Sequence, residues 1–244
     1  MKLDGFALAA TTNDLDREVD ARGVADVVEF RMDSAEDPIG QLSDYEGDLP
    51  IIATNRTKWF GGEANDTGRL DRLSAASRFD AVELVDIELE TARGMGWILD
   101  EFRQNDVDII ISHHDFDDTP EQDVLDAIIE QCAQYGDVAK VATYPQNHDD
   151  VLRLLKAINT ASNDGIDVAG IAMGGLGSHS RVVGPLYGST LGYAPLAEDT
   201  SEYAPGQIPV RKLAALIEAL QVASEDVTEM DSLAAKLAEQ QTHA

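Results

Sequence analysis

Residues 108–143 read DIIISHHDFDDTPEQDVLDAIIEQCAQYGDVAKVAT, and this stretch decides the fold. A short β-branched run, Asp108 to Ser112, is followed by a helical pattern from Glu121 to Tyr135. Thr119 supplies a cap and Pro120 a first-turn proline ahead of that helix. A second apolar run, Val138 to Thr143, completes a strand–helix–strand unit with parallel strands buried on both faces. The alternation continues in both directions. Further strands are expected at Phe6 to Ala10, Val27 to Met32, Ile51 to Asn55, Val82 to Glu88, Val168 to Met173 and Thr190 to Ala194. Helical segments are expected at Leu15 to Arg22, Asp37 to Leu42, Gly68 to Phe79, Ala92 to Arg103, Asp149 to Thr160, Ser180 to Tyr187 and Val210 to Leu220. Eight such pairs predict a single-domain α/β fold, a (β/α)8 TIM barrel. A doubly wound open sheet is the alternative, because counting elements does not by itself show closure.

The length of 244 residues suits one barrel, and no Gly/Ser/Pro tract divides the chain. The barrel is therefore assigned to residues 1–222, and residues 223–244 are read as an acidic helical tail. Forty-six acidic residues stand against 18 basic ones, six of them lysines, for a net charge of −28. That charge repels nucleic acid. The carboxylates are spread along the whole chain, where a cation site would gather them, and the apolar periodicity argues against an acidic disordered chain. The reading favoured is a surface adapted to high salt, in the cytoplasm of a halophile. Cys132 is the single cysteine, so no disulfide framework exists and a core thiol is expected. The N-terminus has no basic and apolar leader pattern, and nowhere do 18 apolar residues run together, so neither secretion nor membrane spanning is expected.

Catalytic groups of a parallel barrel sit at the carboxyl ends of its strands. Glu29 and Arg31 lie near the end of the second strand, Arg56 just past the third, and Glu88 ends the fourth. His114 follows the fifth, and Lys140 falls inside the sixth between apolar neighbours. Desolvation there favours a neutral amine able to attack a carbonyl; the alternative is a packed stem whose ammonium pairs with an acid. His113 and His114 are consecutive on a strand, so they face opposite ways and at most one enters a site. That spacing, with no HExxH, weighs against a two-histidine metal centre. Glu29 and Arg31 share a strand face and can act as a carboxylate–guanidinium pair toward hydroxyls, or as an ion pair only. The Gly174-Gly175-Leu176-Gly177-Ser178 turn is a weak match to a phosphate cradle, and Arg181 offers a two-pronged carboxylate site.

Five segments in register resemble the type I 3-dehydroquinate dehydratases: Glu29-Phe30-Arg31-Met32-Asp33, Ser112-His113-His114-Asp115-Phe116, Lys140-Val141-Ala142, Met173-Gly174 through Ser180-Arg181, and Ala204-Pro205-Gly206-Gln207. The resemblance runs from the first strand to the eighth helix. It implies elimination of water from 3-dehydroquinate to give 3-dehydroshikimate, a shikimate-pathway step, through a Schiff base on Lys140. It implies that His114 is the general base and acid, that Arg181 and Gln207 hold the substrate carboxylate, and that Glu29, Arg31 and Arg56 contact ring hydroxyls. No metal or organic cofactor is implied. Homodimers are common in the family, although no heptad or isolated apolar patch in the sequence carries that assembly. Two departures stand out: Phe60 occupies the position of a family glutamate that orients the histidine, with Glu63 and Glu88 as substitutes to consider, and Tyr203 replaces a substrate-contacting serine. A class I aldolase shares the fold and the buried lysine, and a ligand-binding barrel with impaired turnover is the non-enzyme alternative.

Overall fold

The computed structural model describes residues 5–196 and 206–221. Tyr203 and the tail at 223–244 lie outside them. The strands are β1 (Ala7–Thr12), β2 (Val27–Arg31), β3 (Ile51–Thr54), β4 (Val82–Glu88), β5 (Asp108–His114), β6 (Val138–Thr143), β7 (Val168–Ala172) and β8 (Leu191–Pro195). All the ladders are parallel, and the order is β7-β6-β5-β4-β3-β2-β1-β8. The ends of that order meet: Ser189 bridges Val168, Thr190 N–H donates to the Val168 carbonyl at 2.8 Å, and Gly170 N–H donates to Ser189 Oγ at 3.4 Å. The cylinder is therefore nearly closed, and the doubly wound alternative falls.

The expected strands all form, with ends displaced by one or two residues. β5 runs on to His114 because its ladder with β6 continues to the pair His114–Ala142. The helices depart more. The segment after β1 is a 3-10 helix, Leu15–Asp20, started by an Asp14 carboxylate that accepts from the Asp16 amide. Helices α1 (Pro38–Ser43) and α2 (Arg69–Ala76) follow. The span expected as one helix at Ala92 to Arg103 is two, α3 (Leu89–Gly94) and α4 (Gly96–Gln104), broken at Met95, whose φ of −135° and ψ of 56° are not helical. Gly94 and Gly96 flank the break, and glycine costs a helix about 1 kcal/mol relative to alanine. Helices α5 (Gln122–Tyr135) and α6 (His148–Asn163) are long and amphipathic, and α6 opens with a reciprocal capping box between Asn147 and Asp150. The segment expected at Ser180 to Tyr187 is α8 (Ser180–Val183) and a 3-10 turn at Gly184–Tyr187, preceded by the short α7 (Gly174–Gly177). A last helix, α9, spans residues 210–221. No helix among the described residues is long and apolar enough to cross a membrane.

Two cores result from the period-two alternation. Phe30, Ile87 and Ile111 point outward to meet Leu125, Ile129 and Leu154 of the helices. Val27, Ile52, Leu84, Ile110, Val138 and Ala169 point inward and fill the barrel. Each wholly buried Ile or Leu contributes roughly 1.5–3 kcal/mol. Two residues further along the inward face, the same strands present Glu29, Thr54, Asp86, Ser112 and Lys140, all buried. The interior is thus apolar below and polar toward the carboxyl ends.

Candidate active site

The polar layer opens into a cavity of about 350 Å3 at the carboxyl-terminal mouth. Lys140, His114, Glu29, Arg31, Arg56, Arg181 and Gln207, drawn from the three strands β2, β5 and β6 and from the segments after β3, β7 and β8, all line it. A surface groove of about 430 Å3 beside Leu15–Asp20 and α1 lacks comparable chemistry, since its buried carboxylate, Glu18, is engaged by Arg22 and by the amides of Asp48 and Leu49.

Lys140 is 4 % exposed, as its apolar neighbours imply, but it does not stand in apolar surroundings. Its Nζ donates to Asp86 Oδ2 at 2.9 Å, lies 3.7 Å from Glu29 Oε1, and sits 3.7 Å from the centroid of the Tyr193 ring. Two carboxylates and an aromatic face therefore offset the loss of water around the ammonium. Asp86 also accepts from Arg56 Nη2 at 2.6 Å and from Ser112 Oγ at 2.7 Å. Burial alone pushes its carboxyl upward, but Arg56 and Lys140 outweigh that and hold it well below the usual carboxylate range. Arg56 is further paired with Glu88 at 3.6 Å, which Arg69 and Thr91 bind from the other side.

Glu29 and Arg31 do share the inward face, but they are not a hydrogen-bonded pair. The Arg31 guanidinium makes a fork to Asp33, at 2.9 and 2.8 Å, while Glu29 accepts from Thr11 at 2.8 Å and Thr54 at 3.1 Å. The Asp33 side chain is wholly buried against Arg31, and the fork answers its charge there. His113 and His114 face opposite ways: His113 meets Glu90 at 3.2 Å, and His114 enters the cavity. Asp115 caps the amides of Asp117 and Asp118. Loss of solvent around the His114 ring, reinforced by the cations Arg56 and Lys140, depresses its pKa well below the ordinary histidine value. Neither Glu63 nor Glu88 takes the place of an orienting acid: His114 Nδ1 has no hydrogen-bond partner among the described residues.

Arg181 donates to the Tyr193 carbonyl at 3.2 Å, yet its Nε is shut off from solvent without a partner among the described residues, and loss of water pulls its pKa down to about 10. Gln207 reaches the same cavity because Gly206 does. At a φ of +84°, a Cβ on Gly206 would fall 1.9 Å from the Gly174 carbonyl oxygen, so only glycine lets the loop after β8 lie on α7. Six buried side-chain polar atoms lack partners among the described residues, and four of them, on His114, Arg181, Tyr193 and Gln207, belong to residues lining this one cavity.

Asp86, Ser112 and Tyr193 were not singled out from the sequence. Asp86 carries the signal that marked Lys140, a charged residue between apolar neighbours in a strand buried on both faces. Tyr193 carries none, since an aromatic in a strand reads as core.

A closed parallel barrel with an apolar lower interior and convergent polar groups at its carboxyl-terminal mouth defines the class, a (β/α)8 barrel of enzyme type. The chain belongs to the type I 3-dehydroquinase family, whose model matches residues 8–224. The 3-dehydroquinate dehydratase of Haloarcula marismortui is 43% identical over 227 residues, covering 91% of this chain and 99% of the relative. That of Halobacterium salinarum is 44% identical over 228 residues, covering 91% and 100%. Among solved structures, the 3-dehydroquinate dehydratase of Geobacillus kaustophilus superposes with a TM-score of 0.79 at 29% identity, covering 90% of this chain and 92% of its own. The type I enzyme of Clostridium difficile, solved with covalently modified comenic acid, gives 0.78 at 25% identity, covering 90% and 94%.

Proposed function

We propose that this chain eliminates water from 3-dehydroquinate to give 3-dehydroshikimate through a Schiff base on Lys140, as a step of the shikimate pathway. The observation that carries the reading is the grouping, in one cavity, of a buried amine, a half-buried histidine and a guanidinium with no acid partner among the described residues. The Lys140 amine adds to the ring ketone, and loss of one water leaves a protonated imine that acidifies the adjacent C–H. His114, neutral because of its depressed pKa, takes the C2 proton and delivers it to the departing hydroxyl, which leaves as water. Hydrolysis of the imine consumes one water and frees the amine, so one water is lost overall.

Asp86 stays ionised beside Arg56 and Lys140, so in this scheme it orients Nζ and balances the charge of the iminium without itself accepting the proton. Arg181, with no acid beside it among the described residues and Gln207 nearby in the cavity wall, takes the substrate carboxylate; Glu29, Arg31 and Arg56 take ring hydroxyls. The reading uses no metal or organic cofactor. Family membership also carries over a cytoplasmic setting and a homodimer, the latter testable by sedimentation in high salt.

The test is mass spectrometry after incubation with 3-dehydroquinate and borohydride in high salt, beside an absorbance assay for the conjugated product. A reduced adduct on Lys140 together with product, both lost in Lys140→Ala, is the expected result. Absence of adduct and product from the unaltered protein sinks it.

A further inference from the structure

His114 is placed without a hydrogen bond to its inner nitrogen. Nδ1 is shut off from solvent and has no partner among the described residues, so no hydrogen bond from them to that nitrogen sets the rotation of the ring. What meets the ring is another ring. Phe116, two residues on, stacks against His114 with centroids 5.7 Å apart and planes 16° from parallel. Phe116 is itself seated by the loop after β3. Gly61, at a φ of +78°, brings its backbone so close that a Cβ would stand 2.7 Å from Phe116 Cζ. Phe116 is 45% exposed and so carries little of the core, while both it and Gly61 line the cavity.

We propose that Phe116 is a positioning residue for the reaction, an aromatic platform seated on Gly61 that holds the His114 ring in its working plane and keeps water from its edge. This rests on the acid–base reading of His114. Stacking fixes a plane where a hydrogen bond fixes a direction, and it leaves Nδ1 free to choose its tautomer as the proton moves. The charged groups acting on the ring are Arg56 just past β3, Asp86 on β4 and Lys140 on β6, with His113 adjacent on the same strand but turned to the other face. Their fields remain when Phe116 is cut back, so a change in titration on removing the ring reports the loss of its cover.

The experiment compares Phe116→Ala, Phe116→Tyr and His114→Ala, reading kcat, KM and the pH profile of kcat/KM. Phe116→Ala is expected to lower kcat between about ten- and a hundredfold, the range that misorientation of a reacting group produces. Its acidic limb moves up toward the ordinary histidine range, about 6.5, as water reaches the ring. Phe116→Tyr, which keeps the platform, restores both. Borohydride still traps the Lys140 adduct in all three, which shows that the nucleophile and the fold are intact. If Phe116→Ala matches the unaltered protein in kcat and pH profile while His114→Ala is inactive, the proposal alone fails. Equal losses in Phe116→Ala and Phe116→Tyr also overturn it. If His114→Ala keeps full kcat, the acid–base reading fails and takes the platform with it.

Discussion

At the scale of single residues, the site is a set of charges that are satisfied and a set that are not. Asp86 belongs to the first. It answers Lys140, Arg56 and Ser112 together, and cutting it leaves two buried cations without their shared partner. Asp86→Asn is therefore expected to cost about 3–5 kcal/mol in a denaturant titration. The folded carboxyl titrates below its unfolded value, so this contribution is present above about pH 4 and is lost as pH falls through the folded pKa. The gap between the two proteins should narrow in acid, and a gap flat with pH would falsify the assignment. Arg181 belongs to the second set. If it takes the substrate carboxylate, Arg181→Ala raises KM ten- to a hundredfold, matching about 1.5–3 kcal/mol for charge-assisted hydrogen bonds, with kcat changed less. A kcat loss with KM unmoved points instead to a role at the reacting carbons.

At the scale of elements, strand ends decide which groups enter the site, and helix caps decide where the loops between them begin. On β4, the inward positions Leu84, Asp86 and Glu88 step from apolar core to ion network within four residues; β2, β5 and β6 make the same step. The first turn of α6 holds the chain as it leaves the mouth after β6. There Asn147 accepts from the Asp150 amide at 3.1 Å, and Asp150 accepts from the amides of Asn147 and Gln146. Asn147→Ala removes one half of that exchange and is expected to cost about 1 kcal/mol. For a barrel of this size the melting temperature should drop by about 2–4 °C. An unchanged melting curve shows that the cap is redundant with the Asp150 contacts.

At the scale of the whole molecule, the net charge of −28 dominates behaviour in solution. Self-repulsion among surface carboxylates opposes the compact state, and salt relieves it by shortening the screening length from about 10 Å at 0.1 M to about 3 Å at 1 M. Thermal melts in rising potassium chloride are expected to move steadily upward, most steeply below 1 M. A melting temperature independent of salt removes the halophilic reading of the surface. The buried network around Asp86 lies beyond such screening, so as long as the barrel is folded its geometry is expected not to change with salt.

The amino-acid sequence by itself determined the class of fold, the order of its elements and most of the groups at the mouth. A β-branched run alternating with a helical period is a local pattern, and a charged residue in a strand buried on both faces is conspicuous wherever it occurs. Lys140 is legible for that reason, and Asp86 carries the same mark; Arg56 and His114 are legible from their places at strand ends, with the family resemblance choosing His114 over His113. Closure was not legible, because the β7–β8 seam joins residues whose pairing no local pattern encodes. Nor were the partners. Arg31 turns to Asp33 and away from Glu29, Lys140 lies over Tyr193, and His114 rests on Phe116 with Nδ1 unpaired, since each choice depends on distances across the barrel. Which groups reach the mouth follows from spacing along a strand; what each one touches there is decided only when eight strands are brought into one ring.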